Sequence, residues 1–281
     1  MKIIHAVVVV VIAALLFGCA STGSHYEYGM QYYEAGKLDE AIEQFQRSIS
    51  VNPSDPVVHK ALGDVFADKG MLFEAVTEWE VAVKLKPSYE EVKAKLEASY
   101  MSLGEEDWDK GKVESAKELW RRALELNKSN LEAHRRLGIA YYQEKDFSSA
   151  IPELEWVTEK NSTDVVAFKK LGMAYYRKGK LKDAIAAFDA LTRLKPTDPA
   201  PYNNIGSIYI KMGDNDNAIH VLKQAVKLMP DEPTFYNNLG TAYYNKKNYK
   251  KAREMWGKVI QMQPMNKKAM RNLKTLDAMG E

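Results

Sequence analysis

The amino-acid sequence predicts an all-α fold, a solenoid of repeated helix pairs. Three observations carry that reading. The dipeptides Leu137-Gly138, Leu171-Gly172, Ile205-Gly206 and Leu239-Gly240 recur at a constant spacing of 34 residues. Apolar residues around them fall at helical intervals rather than in the alternation of a strand. The chain has 281 residues, 46% of them hydrophobic and 28% charged, the balance of a folded protein and not of a disordered one.

The last unit, Pro233 to Pro264, shows the pattern most fully. Counting Pro233 as position 1, it has Tyr236 at 4, Leu239-Gly240 at 7 and 8, Tyr243 at 11, Ala252 at 20, Trp256 at 24 and Pro264 at 32. This frame resembles the tetratricopeptide repeat, a helix-turn-helix unit of that length. The resemblance covers seven units, 22–55, 56–89, 97–130, 131–164, 165–198, 199–232 and 233–266. It implies a right-handed α-solenoid of seven helix pairs, A and B, closed by a C-terminal capping helix over 267–281.

Close packing of two antiparallel helices explains the small residues. Position 8 is glycine in every unit, from Gly29 and Gly63 to Gly206 and Gly240, where a side chain would block the approach of helix A to helix B. Position 20 is alanine throughout, from Ala41 to Ala252. Position 24, from Phe45 and Trp79 to Leu222 and Trp256, fills the space between neighbouring units. No unit can bury its apolar face alone, so the units must stack.

In chain order, residues 1–18 read as an export signal: one Lys, then an apolar run from Ala6 to Phe17 that as a helix rises about 18 Å, short of the roughly 30 Å of a bilayer core. Leu16-Phe17-Gly18-Cys19 is similar to the bacterial lipobox, which implies that Cys19 receives lipid and becomes the first residue. Phe17 departs from the small or β-branched residue usual there. An uncleaved anchor and an ordinary signal peptide cut beyond Gly18 are the alternatives. Cys19 is the only cysteine, so an intramolecular disulfide is excluded. Ala20, rather than Asp, after the cysteine points to the outer membrane, facing the periplasm. Residues 19–24 are the lipidated cysteine and a short tether that keeps the first repeat near the bilayer.

An insertion, 90–96, adds about two helical turns before the third unit and lengthens its helix A without rotating the apolar face. Lys128 and Ser162 stand where other units close on Pro, which predicts looser boundaries there. The turns between A and B carry Gly36-Lys37, Gly70, Lys110-Gly111-Lys112 and Gly179-Lys180. Their glycines end helices; the Ser/Thr and glycine spacing of a phosphate loop are missing.

The net charge of +2 hides an asymmetry. From His25 to Asp164 there are 28 acidic and 18 basic residues; from Val165 to Glu281 there are 10 and 21. A basic C-terminal half suits acidic protein, nucleic acid or anionic lipid, or is simply a solvated helical surface. Export argues against nucleic acid.

A search for chemistry is unproductive. HExxH, paired CxxC, GxSxG and the dinucleotide glycine fingerprint are absent from the sequence. His25, His59 and His134 occupy position 4 and read as core or boundary groups. No enzyme activity, cofactor or metal is expected.

What packing leaves free is a stripe on the A helices, positions 2, 5, 9 and 12 with 6 and 13 beside it. Position 5 reads Arg135, Lys169, Asn203, Asn237 and Arg271. Position 6 reads Arg136, Lys170, Asn204, Asn238 and Asn272, and position 12 adds Tyr142, Tyr176 and Tyr244. The stacked asparagines resemble the asparagine ladder of tetratricopeptide grooves that hold an extended peptide, where an amide serves both backbone donors and acceptors. The adjoining Arg and Lys would favour acidic segments. Position 9 is Met173, Ser207 and Thr241, which does not match the two-carboxylate-clamp pattern.

The resemblance therefore implies a non-catalytic, lipid-anchored adaptor that binds protein segments in its concave groove. It is similar to tetratricopeptide lipoproteins that assist pilus or secretion pores and to those that dock cell-wall hydrolases. The alternative is a regulatory or chaperone-like subunit of an exported enzyme system. The sequence leaves the partner and the oligomeric state open.

Overall fold

The structure, a computed structural model, describes residues 22–280; the signal segment and Cys19 lie outside the described residues. Among these there are fifteen α-helices and no strand, an all-α helical-repeat fold. The chain divides into two compact units, Met1–Asn130 and Leu131–Glu281.

The first unit holds α1 (Thr22–Glu34), α2 (Leu38–Val51), α3 (Pro56–Asp68), α4 (Leu72–Leu85), α5 (Glu90–Asp109) and α6 (Val113–Leu126). The inserted residues are helical, and they lengthen α5 to 20 residues against 13 for α3. The second unit holds α7 (Leu131–Gln143), α8 (Phe147–Lys160), α9 (Val165–Arg177), α10 (Leu181–Leu194), α11 (Pro199–Met212), α12 (Asn215–Leu228), α13 (Pro233–Asn245), α14 (Tyr249–Met262) and α15 (Lys267–Ala278).

Local chemistry accounts for the helix ends. Asp55, Asp164, Asp198 and Glu232 cap A helices by accepting from backbone N–H groups at 2.9–3.0 Å, and Pro56, Pro199 and Pro233 occupy the first turn, where no N–H is needed. At the A–B turns Gly36, Gly70, Gly111, Gly179 and Gly213 take positive φ, and Lys145 (65°) and Lys247 (60°) hold the same left-handed conformation in the two turns that lack glycine.

The helix-A glycines face the position-24 side chains. A Cβ on Gly63 would lie 2.5 Å from Trp79 Cδ1, one on Gly104 2.5 Å from Trp120 Nε1, and one on Gly138 2.8 Å from Leu154 Cγ. The approach is therefore ring or branched side chain against bare backbone. The alanines at position 20, Ala41 through Ala252, are fully buried beside it.

The boundaries after the third and fourth units are not loose, which corrects the expectation from Lys128 and Ser162. Asn127 Oδ1 accepts from Ser129 N at 3.1 Å and from Ser129 Oγ at 2.8 Å, and Asn161 Oδ1 accepts from Thr163 N at 3.1 Å and from Thr163 Oγ1 at 2.7 Å. Such Asx-turns fix the chain by hydrogen bonding where proline fixes it by its ring. Glu97 Oε1 adds a brace, accepting from Asn127 Nδ2 at 2.8 Å and Asn130 Nδ2 at 2.7 Å.

Candidate functional site

The candidate stripe lies entirely in the second unit, on α7, α9, α11, α13 and α15. Positions 3, 7 and 10 are buried on α7 (Ala133, Leu137, Ala140), on α9 (Ala167, Leu171, Ala174) and on α13 (Phe235, Leu239, Ala242). Positions 5, 6 and 12 fall beside that buried band, and the structure treats them unequally.

On α7 the two arginines are held by carboxylates. Arg135 Nε lies 3.0 Å from Asp164, the residue that caps α9, and its Nη1 lies 3.2 Å from Glu132; Arg136 Nε is 2.6 Å from Glu132. Both are half-buried, so these pairs compete directly with any acidic ligand. Arg135 and Arg136 thus stand on the candidate stripe already paired within the protein. The signal was present in the sequence, since Glu132 precedes the pair by one helical turn.

On α9 the position-5 lysine is open. Lys169 is exposed and its ammonium makes no ion pair. Lys170 turns back over the Tyr142 ring, its Nζ 4.5 Å from the centroid, and Lys211 lies 4.6 Å from the Tyr176 centroid. These cation–π contacts bridge consecutive repeats. Tyr142 also packs on Phe147 at 5.6 Å and borders a cleft of about 360 Å³ with Lys145 and Arg177. Lys211 was not among the expected site residues; it sits at position 13, beside the stripe.

The asparagines split into a bonded pair and two unmet amides. Asn238 Nδ2 donates to Asn203 Oδ1 at 2.8 Å and to Ser207 Oγ at 3.1 Å, joining α13 to α11. Asn204 is half-buried with no side-chain hydrogen bond. Asn237 is 6% exposed, and its buried Oδ1 has no partner. Its backbone carbonyl accepts from Trp256 Nε1 at 3.3 Å and Thr241 Oγ1 at 2.9 Å. A free ladder of four equivalent amides is thus replaced by one internal clamp with open amides on either side.

Tyr244 packs between Tyr249 (5.5 Å) and Trp256 (5.8 Å), and its hydroxyl donates to Met279 Sδ at 3.7 Å. Arg271 is exposed on α15. The histidines are structural: His59 is buried and pairs with Glu78 at 2.6 Å, and His134 pairs with Glu153 at 2.5 Å while stacking on Trp156 at 4.1 Å. Among the described residues no group of three or more His, Cys, Asp or Glu side chains is placed to hold a metal, and no helix is long and apolar enough to cross a membrane.

Paired helices of this length, a bare glycine against a large position-24 side chain, and polar A-helix positions left beside the packed band define a tetratricopeptide-repeat protein, a fold of the protein-interaction type. A model described as "TPR repeat" matches residues 29–70. The chain belongs to the family described as "Cilia and flagella-associated protein 70 C-terminal domain", whose model matches residues 85–278.

Among curated proteins, the chain is similar to the peroxisomal targeting signal receptor of Candida glabrata, 32% identical over 76 residues, which are 27% of this chain and 13% of that protein. The chain therefore spans a small part of the length of that relative. Among solved structures, a crystal structure of MamA protein superposes with a TM-score of 0.58 at 23% identity over 61% of this chain and 93% of the other. The C-terminal part of a TPR repeat-containing protein from Cytophaga hutchinsonii superposes at 0.53 and 20% identity, covering 88% and 99%. At these identities the likeness is one of fold.

Proposed function

We propose that this protein is a lipid-anchored adaptor of the bacterial cell envelope that binds an extended protein segment of acidic character along the A-helix stripe of its second unit. Cys19, in a lipobox-like tetrad, would carry the lipid, placing the protein at the outer membrane on the periplasmic side. The observation that carries the binding half is the unmet polar capacity of the stripe: exposed Lys169 without a counter-ion and half-buried Asn204 without a side-chain partner. The relative named as a targeting signal receptor is consistent with recognition of a short segment.

Binding would assemble or recruit an envelope complex, of the pilus, secretion-pore or cell-wall-enzyme kind. A photo-crosslinker at Asn204, compared with one at exposed Lys223 on α12, tests this in the native cell. The expected result is one partner captured from Asn204 alone, released by Lys169→Glu. Equal capture from both positions would sink the groove reading. Mass analysis of the mature N-terminus tests the anchor separately: an unmodified Cys19 on a protein free in the periplasm would remove the membrane half.

A further inference from the structure

We propose that the A–B turn edges of the two units are the two sides of a contact between copies of this chain, the acidic edge of one copy meeting the basic edge of another. The charge asymmetry follows the division into units. Met1–Asn130 has 21 acidic and 15 basic residues, and Leu131–Glu281 has 17 and 25.

Within each unit side-chain contacts tie neighbouring turns together. In the first, Tyr33 donates to Asp68 at 2.6 Å and Lys69 pairs with Asp39, each bridging the first two turns. In the second, Lys178 donates to Ser148 at 3.0 Å, Lys211 lies over Tyr176, and Lys246 pairs with Asp216. These bonds tie together the turns of the fourth to seventh repeats.

After the internal pairs are made, charge mostly of one sign is left on each edge. Glu34, Glu40 and Asp109 are exposed with no cationic partner on the first. Arg177, Lys182, Lys247 and Lys250 are exposed with no carboxylate partner on the second. Lys37 on the first edge and Glu144, Asp146, Asp183 and Asp214 on the second are charges of the contrary sign. An anionic lipid surface would suit the basic edge alone and would repel the acidic one. A second copy engages both.

Because each contact joins two different edges, copies can associate head to tail or as a reciprocal pair. Exposed ion pairs are individually weak and are screened over about 10 Å at 0.1 M salt, so the assembly is reversible and salt-sensitive. It is tested apart from the groove reading, since none of the residues substituted below is one of the candidate groove residues Lys169, Asn203, Asn204, Asn237 and Asn238.

Sedimentation velocity of the solubilised full chain tests the proposal. At low ionic strength the weight-average mass should exceed that of a monomer and rise with concentration, and about 0.5 M salt should return it to the monomer. Two charge-reversed proteins, one with Arg177→Glu, Lys182→Glu and Lys250→Glu, the other with Glu34→Lys, Glu40→Lys and Asp109→Lys, should each be monomeric with unchanged helix content. Mixed in equal amounts, they should associate again. The proposal is overturned if the parent stays monomeric at low salt, if the reversed proteins assemble as it does, or if their mixture does not. Binding of a monomeric parent to phosphatidylglycerol vesicles, lost with the first set of substitutions, would assign the basic edge to lipid instead.

Discussion

Two glycines seventeen residues apart separate packing from helix propensity. Gly240 lies on α13 and Gly257 on α14, both inside helices of the seventh unit. A Cβ added at Gly240 would meet Trp256, with Cδ1 at 2.6 Å and Cε2 at 2.8 Å, whereas one added at Gly257 meets nothing within 4 Å. Both substitutions to Ala gain the same helix propensity, about 0.8–1.0 kcal/mol. Only the first adds a clash.

The Trp256 ring has little room to yield, being 3% exposed and tied by its Nε1 to the Asn237 carbonyl. Overpacking of this kind costs about 1–3 kcal/mol, and a displaced indole N–H left buried without its acceptor adds about 1–3 kcal/mol more. Gly240→Ala should therefore destabilise the second unit by a net of about 1–5 kcal/mol, and Gly257→Ala should stabilise it by up to about 1 kcal/mol. Urea unfolding followed by tryptophan fluorescence reads both midpoints. Gly172→Ala is the graded control, because Phe188 Cζ stands 3.0 Å from its added Cβ and the ring edge can shift. If Gly240→Ala stabilises as much as Gly257→Ala, the position-24 ring does not occupy the glycine's missing volume and the packing argument fails.

Three other outcomes follow from the geometry. Replacing Lys145 or Lys247 by Gly should raise stability by a few tenths to about 1 kcal/mol, since φ of 65° and 60° strains an L side chain; unchanged or lower urea midpoints would contradict this. Asn127→Ala removes the Asx-turn and one bond to Glu97 and should cost about 1–2 kcal/mol in the first unit, whereas Lys128→Pro should be tolerated; equal losses would contradict the turn assignment. The Tyr33 phenol is pushed up to about 12 by burial, with the hydrogen bond to and the charge of Asp68 adding to it. A folded pKa above the unfolded one gives stability that is complete below about pH 10 and lost as pH rises toward the folded value, so Asp68→Asn should shorten that decline and, in an ultraviolet titration, let the Tyr33 phenol ionise at a lower pH than in the parent, part of the rise remaining because burial remains.

The fold was legible because its determinants are local and repeat. Leu-Gly, Ala and a large side chain at fixed offsets report a packing geometry made within 20 residues, and the helical repeats in the structure use those positions for that packing. The added turns on α5 were legible too, since seven residues preserve the apolar face of a helix. The unit boundaries at Lys128 and Ser162 were misread because proline was taken as the only rigid closure. Asn two residues before Ser or Thr closes the same turn by hydrogen bonds. The site was less legible because a frame position states where a side chain stands, not what it touches. Arg135 and Asn203 hold equivalent places, yet one is drawn to Asp164 and the other to Asn238.

That difference leaves the stripe's unpaired polar groups toward its C-terminal end. At α7 the arginines are occupied by Glu132 and Asp164, so an incoming carboxylate there must displace an existing pair and gains little. At α9 Lys169 has no pair to lose. At α11 and α13 the Asn203–Asn238 bond fixes the spacing between helices, while Asn204 and Asn237 retain unmet groups beside it. Asn238→Ala should accordingly loosen the α11–α13 junction as well as weaken binding, whereas Asn204→Ala should weaken binding with no change in melting. Helix content and thermal unfolding, measured beside crosslinking yield, separate the two roles. Should Asn204→Ala lower the melting temperature as much as Asn238→Ala, the amide at 204 is structural, and the ligand-contacting part of the stripe contracts to Lys169.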